Sequence, residues 1–294
     1  MPPGWGFDSA QFQQRMKDLE GKIDDNIAQL VKNERDFYVA VAAGFIPGYS
    51  LVHKFGRNLA VGTSFVPVSI GGIYRTKQVG AATTLRIKSG GNANDTAAGS
   101  GAQEVTLIGI NAAGNEVSEA VATAGASASS ATTNSFIRLY RAYVSASGTY
   151  ATASAGSHSA DITIEDGGGT EDWATITTDS SSFPRAQSEI GYYTIPTGYT
   201  GYLLSASAFT DSTKTTTLLF FQRQGVLDTA APYEAMRLLF EERVEGGEST
   251  VDIKSPIRID GPADVGYLAK VNTGTAEVDV DFELLLIDNG VVSA

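Results

Sequence analysis

The sequence predicts a mainly β protein in which an N-terminal long α-helix is followed by two antiparallel β-sandwich domains, the second jelly-roll-like. Three observations predict it. Thirty-two glycines with only 18% charged residues in a 294-residue chain describe a turn-rich, small-surfaced β protein. Before Gly44, a mostly apolar row recurs at alternating spacings of four and three, the seam of a helix that packs lengthwise on another. Beyond it, short alternating runs recur between turn formers. The predicted organisation is a helical assembly arm over 1–47, a first sandwich over 48–178, a linker over 179–187 and the jelly-roll-like sandwich over 188–294.

The arm runs from Asp8 to about Ala43, with Phe12, Met16, Leu19, Ile23, Asn26, Leu30, Asn33 and Phe37 on the seam. Asp8 and Gln11 form a capping-box start, and Gly44, Pro47 and Gly48 supply the stop. Such a helix would be about 50 Å long, too narrow in its apolar face to fold alone, so it must dock on a body or on copies of itself. Gly21 weakens it by about 1 kcal/mol against alanine. Asn26 and Asn33 either fix the register of an oligomer seam or lie exposed while Ile27 and Val31 rotate the apolar face.

Gly48 to Asn58 reads as a loop with three basic or imidazole side chains, His53, Lys54 and Arg57, in an otherwise acidic chain. It is either a contact point for an acidic partner or a connector in which Leu51 and Phe55 plug the domain while the cations stay in water. Strands are predicted over 83–88, 103–110, 116–123, 135–146, 160–165 and 172–177, with a hairpin turn at Asn111 to Asn115. The loops 90–103 and 125–133 are small and polar, hence surface features.

After the linker, strands are predicted over 191–195, 199–209, 215–224, 234–244, 249–259, 266–272 and 277–288. In the last, Val278, Val280, Phe282, Leu284 and Leu286 face one way and Glu277, Asp279, Asp281 and Glu283 the other, a half-buried strand with an acidic outer face. The stretch 234–244 also fits a helical period through Met236, Leu239, Phe240 and Arg243.

Composition excludes several classes of function. There is no cysteine, which removes disulfides, thiolate nucleophiles and Cys-based metal centres. A formal charge of -12 disfavours nucleic-acid binding by sign. The N-terminus lacks the basic and apolar regions of a secretion signal, and no apolar run nears the roughly 18 residues of a membrane span. Neither histidine, His53 or His158, belongs to a nucleophile elbow, and no P-loop, Rossmann or metalloprotease motif occurs. Glu165, Asp166, Glu171 and Asp172 around Gly167, Gly168 and Gly169 could offer oxygen ligands to Ca2+ or an acid/base pair for glycan hydrolysis, although the spacing matches no EF-hand. Tyr192, Tyr193, Tyr199 and Tyr202 could form a sugar platform or pack across the sandwich.

The segments GYSLVHKFGRN (Gly48 to Asn58), YYTIPTGYTGYLLSASAF (Tyr192 to Phe209) and FELLLIDNG (Phe282 to Gly290) together resemble virion structural proteins of tailed bacteriophages. VTLIGINAAGNEVSEAVATAG is similar to the hairpin of bacterial immunoglobulin-like domains. The phage resemblance implies a non-enzymatic protein without cofactors, assembled in the host cytoplasm into a virion. It implies a capsid decoration or cement protein, a trimer bound to the major capsid protein or other virion proteins, without nucleic-acid or membrane partners. The assembly residues would be Phe12, Met16, Leu19, Ile23, Leu30 and Phe37 on the arm and His53, Lys54, Phe55 and Arg57 after it. A tail adaptor, fibre or receptor-binding protein contacting host glycan is the alternative, and a glycan-active enzyme a second one.

Overall fold

The computed structural model describes residues 14–23, 37–71, 81–151, 156–178, 184–251 and 253–292. The protein is mainly β, with 54% strand and 9% helix, and its sheets are antiparallel.

The long N-terminal helix is not supported. Residues 14–23 form a short helical segment and residues 37–42 another, and no coiled coil is seen among the described residues. A narrow seam interrupted by Gly21 gives an isolated helix little on which to propagate. Phe12, Asn26, Leu30 and Asn33 lie outside the described residues. Residues 37–42 dock on the body, where Val41 is buried and the Phe37 ring meets Tyr49 edge-on at 6.1 Å.

Among the described residues the largest sheet has eight strands and is nearly closed, like a barrel. Its path is β1 (Tyr49–Val61), β14 (Ala276–Asp288), β10 (Tyr199–Arg223), β13 (Ala263–Val271) and β2 (Val66–Pro67), with β9 (Tyr192–Ile195) beside β13 and both β11 (Arg237–Val251) and β12 (Ile257–Asp260) beside β10. The segment 48–58 is therefore not a loop of the first sandwich. It forms an outer strand of the sheet built from the C-terminal half, in register from Tyr49 opposite Ile287 to Asn58 opposite Val278. The strand escapes a hydrophobic-pattern reading because its inward positions are Val52, Lys54 and Gly56, and only the first of these is an apolar side chain of ordinary core type.

β10 is one 25-residue strand, not two. Its first half pairs with β14, its second half with β13, and β11 follows it around the bend. The register breaks between Thr210 and Thr215, opposite Gly246 and Gly247 at positive φ. The gap expected near 210–214 is thus a corner at which a continuous strand passes from one wall to the other, as bulges and glycines permit. In the stretch 234–244, where a helix also fits the pattern, the residues from Arg237 onward are strand, part of β11. Inside, Phe220 meets Tyr267 and Phe282 edge to face, with ring centres 4.9 Å and 5.2 Å away.

The stretch between β2 and β9 supplies two three-stranded sheets. One is β3 (Leu85–Ser89), β7 (Ile162–Asp166) and β8 (Asp172–Ile176); the other is β5 (Glu116–Ala122), β4 (Ala102–Ile110) and β6 (Arg138–Ser147). They share one core, in which Leu85, Ile162 and Trp173 of the first pack with Leu107 and Leu139 of the second. That core also takes in Tyr192 and Phe221 of the barrel-like sheet, while Ile110 and Tyr140 enter the barrel's own core. The predicted hairpin at Asn111 forms, with Gly114 at φ 80° and its N–H donating to the Asn111 carbonyl. The loops 90–101 and 125–133 are more than surface decoration. The hydroxyls of Ser129 and Thr132 accept the backbone N–H groups of Ile87 and Leu85, satisfying the edge of β3 as a paired strand would.

Candidate functional site

On β1 the side chains alternate in direction, so the four predicted contact residues separate. His53 and Phe55 point outward with Arg57, His53 exposed and Phe55 half-buried. Lys54 points inward and is buried at 7% exposure, which removes it from any external partner. Its ammonium donates to the carbonyl of Tyr140, at a bulge where β6 inserts one residue against β4. Burial first, and the nearby Arg141 charge second, lower the Lys54 pKa to about 7.

Arg57 lies directly across the ladder from Asp279, and the acidic face of β14 turns toward it. Its guanidinium pairs with Glu277 and approaches Asp279 at 3.5 Å. Burial alone would depress the Arg57 pKa, but the Glu277 bond and charge, with Asp279 and Glu189, raise it. The hydroxyl of Ser207 on β10 donates to Asp281. These groups line an open cleft of about 350 Å³, walled by Phe55, Ala208, Phe209 and Val280 and joined by Arg185, Glu189 and Glu248.

Glu189 is the unusual member. It is 94% removed from solvent by its 6% exposure, its Oε2 has no hydrogen-bond partner, and Arg185 stops at 3.8 Å from Oε1. Burial raises the Glu189 pKa; Arg185 and Arg57 oppose this, while Asp279 and Glu277 add to it. Asp279 is raised too, by burial and then by Glu277, against Arg57 and Arg185. Five carboxyl side chains, Glu189, Glu248, Glu277, Asp279 and Asp281, line the cleft against the two guanidinium groups of Arg57 and Arg185. The sequence showed the acidic face of β14 but not that β1 would lay Arg57 across it, and nothing local marked Glu189.

The acidic turn at 165–172 folds on itself. Asp166 accepts the N–H groups of Gly168, Thr170 and Glu171. Slight burial raises its pKa, but the N–H groups of Glu171, Thr170 and Gly168 outweigh this and lower it. Glu165 pairs with Arg86 at 2.7 Å. Among the described residues no group of three or more His, Asp or Glu side chains is arranged to hold a metal ion. His158 is 1% exposed, with Nδ1 2.7 Å from the Ser157 hydroxyl and Nε2 3.2 Å from the Thr177 carbonyl, and burial lowers its pKa against the pull of Asp95. Tyr192 and Tyr193 are buried, so half of the tyrosine platform packs inside. On the arm, Met16, Leu19 and Ile23 are 39%, 52% and 47% exposed, and every residue of 14–23 faces solvent. No protein-family model matches the chain, and no curated protein matches its sequence.

Proposed function

We propose that this chain is a non-enzymatic structural protein of a tailed-phage virion, a decoration or cement protein that binds the head through its N-terminal arm and stands on it as a trimer. The observation that carries this reading is the apolar row Met16, Leu19 and Ile23, left exposed on a short helical segment that no other described residue covers. An amphipathic segment of that length gains its stability from the surface it docks on, and the major capsid protein is the partner implied by the phage resemblance. The barrel-like sheet reads in this light as a jelly-roll variant, and the two three-stranded sheets as an inserted sandwich that projects from it. A binding role is supported further because His158 and Asp166 spend their hydrogen bonds inside the fold. The burial of Tyr192 and Tyr193 makes the glycan-contacting tail protein the weaker reading.

The test is particle incorporation of the full chain against a chain lacking residues 1–36, counted by mass spectrometry of purified virions. Truncation stops short of Phe37 and Val41 because these touch the body. Decoration predicts many copies per particle for the full chain and none for the truncated one, with the same far-UV circular dichroism per β residue. Normal incorporation without the arm, or a copy number matching a tail ring, overturns the reading.

A further inference from the structure

We propose that the cleft between β1, β10 and β14 is a binding site for an organic cation, a guanidinium or primary ammonium on an alkyl stem. This goes beyond the arm-mediated attachment and does not depend on it. Two independent features point there. The first is charge: Glu189, Glu248, Glu277, Asp279 and Asp281 line the cleft against two cations, Arg57 and Arg185. The second is Glu189 itself, a lining residue that is 6% exposed and whose Oε2 is buried without a hydrogen-bond partner. A buried carboxylate oxygen without a donor is costly, and a charge-assisted hydrogen bond from an incoming N–H removes that cost. The two residents do not serve: Arg57 is spent on Glu277 and Asp279, and Arg185 stands beyond hydrogen-bond distance at 3.8 Å.

The walls select the kind of cation. Phe55 and Phe209 flank the carboxylates, with Phe209 44% exposed. Aromatic faces suit the methylene stem of an arginine or lysine side chain, and the weakly hydrated guanidinium best among their heads. A hydrated divalent ion would find no such match, and the carboxylates are not gathered into a metal-binding group.

The test is calorimetric titration of the full chain with agmatine and, separately, with a blocked Gly-Arg-Gly peptide, with MgCl2 at matched ionic strength as the third probe. Saturable one-to-one binding of agmatine or peptide is expected. It should weaken at least about tenfold in Glu189→Gln and also in the exposed Glu248→Gln, and tighten in Arg185→Gln, which removes a competing charge. Peptide binding assigns the cation to a partner protein, and agmatine binding alone assigns it to a free alkylguanidine; both uphold the site. Absence of saturation, indifference to Glu248→Gln, weaker binding in Arg185→Gln, or equal displacement by MgCl2 overturns it. Because Glu248 and Arg185 are surface side chains, the outcome does not hinge on whether Glu189→Gln folds.

Discussion

The guanidinium of Arg138 on β6 lies 3.1 Å from the carboxylate of Asp264 on β13, with 2% and 0% of the two side chains exposed. The pair bolts the inserted sheets to the barrel across 126 residues of sequence. Asp264 also accepts from Arg223 at 2.9 Å and from the Thr194 hydroxyl at 2.7 Å. Removing the shared acceptor leaves two arginines without their common counterion, and breaking a buried pair on one side typically costs about 3–5 kcal/mol. Asp264→Ala should lower the urea unfolding free energy by about that amount. Arg243→Ala, at a pair whose side chains are 73% and 43% exposed, should change it by about 1 kcal/mol or less. Equal effects of the two substitutions would remove Asp264 from this role.

Lys54 gives the fold a pH dependence of definite sign. Its pKa is about 7 in the folded protein and near the ordinary lysine value, about 10.4, when unfolded. Between those values the unfolded chain binds more protons, so stability rises with pH from about 7 to about 10.4, by up to order 4 kcal/mol from this group. Lys54→Met removes that contribution. The variant should gain on the parent most at pH 6.5 and least at pH 9.5, read from urea midpoints at both. Parallel pH profiles for the two proteins would show that Lys54 is not buried as a weakened base.

How much of this was legible in the sequence depends on which side chains face inward. β14 announces itself through Val278, Val280, Phe282 and Leu284, all buried, because hydrophobic alternation is what a half-buried strand requires. The hairpin at Asn111 to Asn115 is equally plain, since its glycine takes the positive φ that the turn needs. β1 hides because Lys54 and Gly56 occupy inward positions, and each is there for a long-range reason: a bulge carbonyl on β6 and a backbone crossing. The cleft hides for the same cause. Arg57 meets Asp279 only through a pairing of β1 with β14 that spans most of the chain, and a local pattern carries no register of that kind. The arm shows the converse failure, in which a periodic seam was legible but its helix is short where described, because periodicity states a capacity to pack and not the presence of a partner.

Asp95 makes the loop 90–101 part of the structure. It is 0% exposed, and its oxygens accept the N–H groups of Ala102 and Ser159 at 3.0 Å, that of Ala160 at 3.1 Å, and the Ser89 hydroxyl at 2.8 Å. An acceptor-only carboxylate suits a ring of donors, whereas an amide turns its NH2 toward one of them. Asp95→Asn should cost about 1–3 kcal/mol and speed amide hydrogen exchange at Ala102, Ser159 and Ala160 before it does so at Leu107 in the core. Unchanged exchange at all three amides would show that the loop is held by other contacts.

Gly56 sits where β1 crosses close over the segment before β9. A Cβ built there would lie 2.1 Å from the Gly191 nitrogen, 2.3 Å from its Cα and 2.4 Å from the Val68 carbonyl oxygen. All three are backbone atoms, so no rotamer change relieves the clash, and the Gly191 N–H to Val68 carbonyl bond of 3.0 Å sits in the same place. Gly56→Ala must therefore push β1 away from the segment before β9, opening the seam beneath the Arg57 and Glu189 cleft. Overpacking typically costs about 1–3 kcal/mol, and a clash confined to main chain belongs at or above the upper end. Gly62→Ala, one residue beyond the same strand and with nothing within 4 Å of its Cβ, is the matched control and should stay within about 0.5 kcal/mol of the parent. Chemical denaturation of the two variants decides the matter: comparable stability would mean that β1 does not run against Gly191.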